Sequence, residues 1–179
     1  MIIITGGEYK GRRMLVPDEN ITRPTLSKVR MGVFNTLFSM LGDFGGKSFL
    51  DLFGGSGIMG LEAVSRGFSE VTVCEKNPKA IQIIKKNYET LGLNPNIYPN
   101  DSLKFLKNNE KFFDVIYVDP PYQSGIYEDV FNLIKGNPIV IAEHSSEVNI
   151  DTNIPFLKTK NYGGKCVSFY MGQRGNKIR

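Results

Sequence analysis

At 179 residues, with a formal charge of +4, one histidine, two cysteines and no tryptophan, the chain has the size of a single domain burying roughly 70% of its extended surface. The lone His144 cannot build a zinc cluster and offers at most one imidazole base to a nucleophile triad, while Cys74 and Cys166 lack the spacing of a disulfide framework, so metal, hydrolase and disulfide-stapled classes recede. No apolar run approaches the roughly 18 residues of a membrane helix, and a soluble, unexported, cytoplasmic monomer is the expectation.

Short apolar runs at 2–4 and 14–16, separated by Thr5-Gly6-Gly7 and a basic stretch, predict a small β-hairpin ended by Pro17. From Leu26 the residues Val29, Val33, Phe34, Leu37, Phe38 and Leu41 recur at helical spacing, with Thr25 placed to cap and Gly42 to terminate. A buried strand follows at 48–53, then a glycine-rich turn and a helix over 58–66 that Gly67 ends. The pattern repeats: a strand at 71–74 leads to a helix opened by Asn77 and Pro78, and a strand at 96–99 leads to a short helix capped by Asp101 and Ser102. Strands at 112–118 and 138–142 flank a helix over 124–135, and two last strands near 156–160 and 166–171 around Gly163-Gly164 form a hairpin. The expected fold is α/β: a doubly wound, mostly parallel sheet with an antiparallel C-terminal hairpin. A β-hairpin extension (1–24) and a helix (25–42) precede the core (48–179).

The charge is unevenly spread: residues 1–30 carry +3, residues 31–155 carry −5 and residues 156–179 carry +6. Lys10, Arg12, Arg13, Arg23, Lys28 and Arg30 are interleaved with Gly, Tyr and Thr, a pattern suited to phosphate contacts, so a nucleic acid leads the partner classes. Parallel doubly wound sheets bind ligands at the carboxyl ends of their strands, and Gly54, Glu75, Asp101 and Asp119 each sit just after a predicted strand.

Gly55-Ser56-Gly57-Ile58-Met59-Gly60 matches G-x-G-x-x-G, and Glu75 lies where an acid meets a ribose hydroxyl. Such a loop holds a pyrophosphate or a carboxylate equally well, so it leaves nicotinamide and other nucleotide cofactors open. Asp119-Pro120-Pro121-Tyr122 narrows the choice. The two prolines carry no N–H and the Asp119 carboxylate accepts, which fits a substrate amine, and Tyr122 can stack on a base.

These residues resemble the amino-methylating S-adenosylmethionine-dependent methyltransferases. Gly7-Glu8-Tyr9-Lys10-Gly11-Arg12-Arg13, Arg23-Pro24-Thr25, Val29-Arg30, Leu50-Asp51-Leu52-Phe53-Gly54-Gly55-Ser56-Gly57, Glu62-Ala63 and Ser65-Arg66-Gly67 resemble the RsmD-type 16S rRNA guanine-N2 methyltransferases. Gly55 departs from the family's usual Ala, and Met31-Gly32 from its usual Glu-Ala. The resemblance implies that S-adenosylmethionine is held by Asp51, Phe53, Gly54, Gly55, Ser56, Gly57, Glu75, Lys76, Asp101 and Ser102. It implies further that Asp119, Pro120, Pro121 and Tyr122 hold the guanine of a ribosomal RNA or small subunit; the basic ends of the chain then predict that Lys10, Arg12, Arg13, Arg23, Lys28, Lys165 and Arg174 form the RNA-binding surface. Adenine-N6 or cytosine-N4 methylation, and a nicotinamide-binding or non-catalytic module, remain the alternatives; His144 reads as structural.

Overall fold

The computed structural model describes residues 1–18, 25–121 and 125–172. β1 (Ile2–Ile3) and β2 (Arg13–Met14) pair antiparallel as a separate two-stranded hairpin, with Ile2 opposite Met14. α1 (Ser27–Leu41) closes on Gly42, whose φ of 78° is readily reached without a side chain. Thr25 does not cap this helix. Leu26 occupies the cap position, and Thr25 is buried with its carbonyl accepting from the Arg30 guanidinium.

Seven further strands form one sheet: β3 (Ser48–Asp51), β4 (Glu70–Cys74), β5 (Asn96–Tyr98), β6 (Val115–Val118), β7 (Ile139–Ser145), β8 (Phe156–Asn161) and β9 (Lys165–Met171). Their order is β5-β4-β3-β6-β7-β9-β8, parallel from β5 to β7 and antiparallel for β9 and β8. The chain winds outward from β3 through β4 to β5, then returns to lay β6 against the other side of β3. The order therefore reverses between β3 and β6. The expected fold is the observed one.

Four helices connect the strands: α2 (Ile58–Ser65), α3 (Pro78–Thr90), α4 (Ser102–Asn108) and α5 (Tyr127–Leu133). Asn77 and Asp101 cap α3 and α4 as their spacing predicts, each side chain accepting from two backbone N–H groups. Several elements differ at their ends from expectation; β3, for example, stops at Asp51 rather than Phe53. β6 begins at Val115 because Phe112 is exposed and the Asp114 carboxylate turns to Ser48, while β7 runs on to Ser145 because β9 extends its ladder to the Ser145–Lys165 pair. Of the helix expected over 124–135, Ser124 lies outside the described residues, and within them α5 starts only at Tyr127, with Ile126 in the cap position, and ends at Leu133.

One face of the sheet packs Phe49, Val115, Tyr117, Ile141 and Phe169 against Val29, Val33, Phe34 and Leu37 of α1 and Met59 and Ala63 of α2. The other packs Leu50, Ile116, Val118 and Val140 against Phe105 and Leu106 of α4 and Val130 and Phe131 of α5. The hairpin adds a third apolar cluster, with Ile4 and Met14 on Ile58, Leu61, Ile84 and Tyr88. Burying a side chain of this size contributes about 1.5–3 kcal/mol, so the hairpin is part of the folded unit. Among the described residues, no helix is long and apolar enough to cross a membrane.

Candidate active site

The strand order reverses between β3 and β6, and sheets wound this way bind ligands in the crevice beyond the carboxyl ends of the strands at such a reversal. The loop after β3 enters it. Gly54 N–H donates to the Cys74 carbonyl at 2.8 Å and Gly57 N–H to the Gly54 carbonyl at 2.6 Å, folding the chain tightly before α2 starts. A Cβ on Gly54 would stand 2.4 Å from Val73 Cγ1, and Gly57 sits at φ 74°. These glycines let the loop lie flat on β4 and reverse direction; Gly60 lets α2 approach Tyr88 and Val73.

Glu75 holds the loop from the end of β4: its Oε2 accepts Gly55 N–H at 2.8 Å and its Oε1 accepts Asn77 N–H at 2.7 Å. Each oxygen retains a lone pair directed elsewhere. At the end of β5, Asp101 Oδ1 caps α4 and Oδ2 lies 3.8 Å from the exposed Lys76 ammonium. The Ser102 hydroxyl donates to the Leu52 carbonyl at 2.9 Å, tying α4 to the end of β3. Ser56 and Gly54 are buried, and Phe53 is half-buried against the α4 face.

Asp51 is 1% exposed, and its Oδ2 accepts Gly60 N–H at 3.3 Å, so it also anchors α2. Burial pushes its carboxyl up to about 8, the Gly60 N–H opposing this and Glu75 adding to it. Asp119, one residue beyond β6, is held well above the usual carboxylate range by burial first and Glu143 second, with Lys165 opposing and Asp51 adding. Pro120 beside it is buried and Pro121 exposed. Four carboxyl groups, from Asp51 at the last position of β3 and from Glu75, Asp101 and Asp119 just beyond β4, β5 and β6, thus sit at the ends of four adjacent strands. That set suits a cation with hydroxyl and amine groups and disfavours a pyrophosphate. Tyr122 lies outside the described residues.

The basic residues divide. Lys10, Arg12, Arg13 and Lys28 are exposed, but Arg12 donates to the Thr90 carbonyl at the C-terminal end of α3, and Glu8 N–H to the Ser65 carbonyl at the C-terminal end of α2. The hairpin tip is therefore about 12 Å, the length of α2, from the glycine loop. Lys28 stands instead near the start of α1, by Gly163. Arg23 and Arg174 lie outside the described residues.

Two basic residues are misread by the charge pattern. Arg30 is wholly buried, donating to Glu62 at 2.9 Å, to the Ile3 carbonyl at 2.7 Å and to the Thr25 carbonyl. Lys165 is turned inward onto Glu143, with 13% of its side chain exposed. Neither can meet a phosphate. Sequence reasoning also missed the roles of Glu62 and Glu143; the available signal was an acid ending or interrupting an apolar run in each case. His144 bonds Ser168 Oγ at 2.7 Å on the opposite face of the sheet, as a structural residue would. A separate cleft of about 450 Å³ at the far end of α2, between Phe34, Phe38, Phe44 and Arg66, has only Asp43 as an acid.

The family described as conserved hypothetical protein 95 matches residues 2–171. Ribosomal RNA small subunit methyltransferase D of Escherichia coli (strain K12) is 36% identical over 137 residues, covering 76% of this chain and 68% of that protein. YlbH of Bacillus subtilis (strain 168) is 34% identical over 183 residues, 93% of this chain and 97% of its own. The solved structure of yhhF from Escherichia coli superposes with a TM-score of 0.82 at 29% identity, covering 96% of this chain and 97% of that one. The Thermus thermophilus 16S rRNA N2 G1207 methyltransferase RsmC, solved with AdoMet and guanosine, shares the fold at 17% identity and a TM-score of 0.67, over 85% of this chain and 45% of its own. Sequence match and fold agree: the chain belongs to the family of conserved hypothetical protein 95, that of the RsmD-type methyltransferases.

Proposed function

We propose that this protein methylates the exocyclic N2 amine of a guanine in small-subunit ribosomal RNA, with S-adenosylmethionine as the donor. The observation that carries the reading is Asp119, an acceptor followed by two prolines without N–H groups, at the reversal point beside the carboxylates of Asp51 and Glu75. The names of the relatives support ribosomal RNA as the substrate class.

The bound donor supplies an electrophilic methyl group on a positively charged sulfur. Asp51 and Asp119 favour that charge from two adjacent strands, and their own ionisation is favoured by it in return. Glu75 offers its remaining lone pairs to ribose hydroxyls, and Asp101 Oδ2 and the loop after β5 meet the adenine. Asp119 and the Pro120 carbonyl grip the two hydrogens of the target amine, whose lone pair is otherwise delocalised into the ring. An amine held so would be oriented toward a donor bound by Asp51 and Glu75, and orientation of this kind is worth several kcal/mol. Transfer needs no strong base, so Asp119 orients the amine more than it deprotonates it. The base must be unstacked to reach the crevice, at a cost of a few kcal/mol that is smallest in a loop. The stacking residue on this reading is Tyr122, assigned from the sequence alone. Exposed Lys10, Arg12, Arg13 and Lys28, with Arg23 and Arg174, hold the RNA backbone.

The test is mass analysis of nucleosides from small-subunit RNA after incubation with enzyme and donor. N2-methylguanosine is expected, and its loss in Asp119→Ala; N6-methyladenosine or N4-methylcytidine in its place would replace the substrate assignment. The same tetrapeptide suits those amines, so only the product distinguishes them.

A further inference from the structure

Glu143 ends the apolar run of β7, and the strand register sets it beside Asp119. Tyr117 pairs with Ile141 and Val118 with Ala142, so the next pair along is Asp119 and Glu143, both on the α1 face with Tyr117. On the adjacent β9, Val167 and Phe169 also face α1, and Lys165 shares their parity. The Lys165 ammonium donates to Glu143 Oε1 and the Tyr117 hydroxyl donates to Glu143 Oε2 at 2.6 Å. Thr25, ahead of α1, hydrogen-bonds Tyr117, and Tyr127 of α5 donates to the Glu143 carbonyl at 2.7 Å. Glu143 is 2% exposed.

A buried ion pair of this kind adds little net stability, because the desolvation of both charges offsets their attraction. Its position is more informative. Among the described residues, the charged and titratable groups around Asp119 are Glu143 on β7, Lys165 on β9, Asp51 on β3 and Tyr117 on its own strand, while Arg30 of α1 is engaged at the Thr25 carbonyl and Glu62. His144 faces the other way, onto Ser168. Glu143 unbalanced would keep Asp119 neutral, and a neutral carboxyl presents an O–H where the amine needs an acceptor. Lys165 supplies the balancing charge.

We propose that Glu143 and Lys165 are positioning residues for methyl transfer: the ion pair they form beside Asp119 sets the charge with which Asp119 meets the substrate amine. The proposal rests on the reading of Asp119 given above.

The test pairs a carboxyl-carbon NMR titration of Asp119 in the full chain with the pH profile of kcat/KM for methyl transfer to isolated small-subunit RNA. In Glu143→Gln the Asp119 midpoint is expected to fall by about one pH unit, and the acid limb of the profile to move with it. At one unit below the wild-type midpoint, activity relative to its plateau then rises from about a tenth to about a half, roughly fivefold. Lys165→Met is expected to move both midpoint and limb upward. Because that variant strands a buried carboxylate, Lys165→Arg is the companion, expected to keep the wild-type midpoint. A stationary midpoint in Glu143→Gln, or a shifted midpoint with a stationary limb, overturns the proposal. Full activity in Asp119→Asn would instead remove the reading of Asp119, whatever the titration showed.

Discussion

Asp51 carries a carboxyl into the centre of the fold, where burial outweighs the backbone N–H groups of Gly60 and Phe53 that it accepts from, and its pH behaviour follows from that. The folded state raises its carboxyl from an ordinary 3.8 to about 8, so between those values the folded chain binds a proton that the unfolded chain has released. The sign is therefore the reverse of the usual salt-bridged aspartate: this group's contribution declines as pH rises from about 4 to 8. Asp51→Asn should flatten that decline in urea-denaturation midpoints measured across the range. A cation bound nearby favours the ionised form, so S-adenosylmethionine affinity should rise with pH up to about 8, by at most tenfold per unit. Calorimetry with S-adenosylhomocysteine, which lacks the positive sulfur, should give a flatter dependence. Arg30 offers a second residue-scale test. Its guanidinium serves the Glu62 carboxylate, the Ser27 hydroxyl and the Thr25 and Ile3 carbonyls; in Arg30→Ala, Glu62 keeps Arg66 and Thr5 but the buried Thr25 carbonyl loses its donor. The expected loss is about 1–3 kcal/mol of unfolding free energy, and Arg30→Lys should restore only part of it because a lysine lacks the planar fork.

At the scale of elements, the glycine loop works by close packing as much as by ligand approach. A methyl group on Gly54 would collide with Val73, a β-branched residue fixed in the middle of the sheet, so Gly54→Ala should displace the loop and weaken donor binding more than tenfold. Removing the obstacle in Gly54→Ala/Val73→Ala should recover part of that affinity, measurable by calorimetry. Gly32 shows a milder version. It lies within α1, where glycine costs about 1 kcal/mol relative to alanine, and the Tyr162 hydroxyl occupies the space its side chain would fill. The departure from the family's usual alanine thus has a physical partner in the turn between β8 and β9. In a Tyr162→Ala background, Gly32→Ala should be neutral or stabilising in thermal melts.

Across the whole molecule, the exposed basic residues considered for RNA fall into two groups, on the hairpin and at the start of α1, while the strand ends carry the acids. Lys10, Arg12 and Arg13 belong to the hairpin beside the far ends of α2 and α3, and Lys28 to the start of α1. Converting these four to Glu should lower RNA affinity and reduce the slope of log affinity against log salt by about 3 from the lost charges alone, with donor affinity unchanged. Filter binding over a salt series checks this; an unaltered slope would remove these residues from the RNA surface. The hairpin is held to α2 and α3 through Thr5, whose N–H and hydroxyl both donate to Glu62, and through the backbone of Leu15, which exchanges two hydrogen bonds with Asn87.

The amino-acid order by itself determined the alternation of strands and helices, the caps at Asn77 and Asp101, the tight turn at Gly54 and the acceptor-only Asp119-Pro120-Pro121. Each of these depends on neighbours a few residues away, through period, φ or side-chain reach. Tertiary structure decided what charge alone could not. Arg30 and Lys165 look like surface cations in the chain, yet they are inside because Glu62 and Glu143, 32 and 22 residues away, wait for them on packed elements. The pairing of β7 with β9 lengthened one strand and delivered Lys165 to the neighbourhood of Asp119. Local rules describe what a residue can do; whether a charge meets water or a buried partner is settled only when distant segments pack.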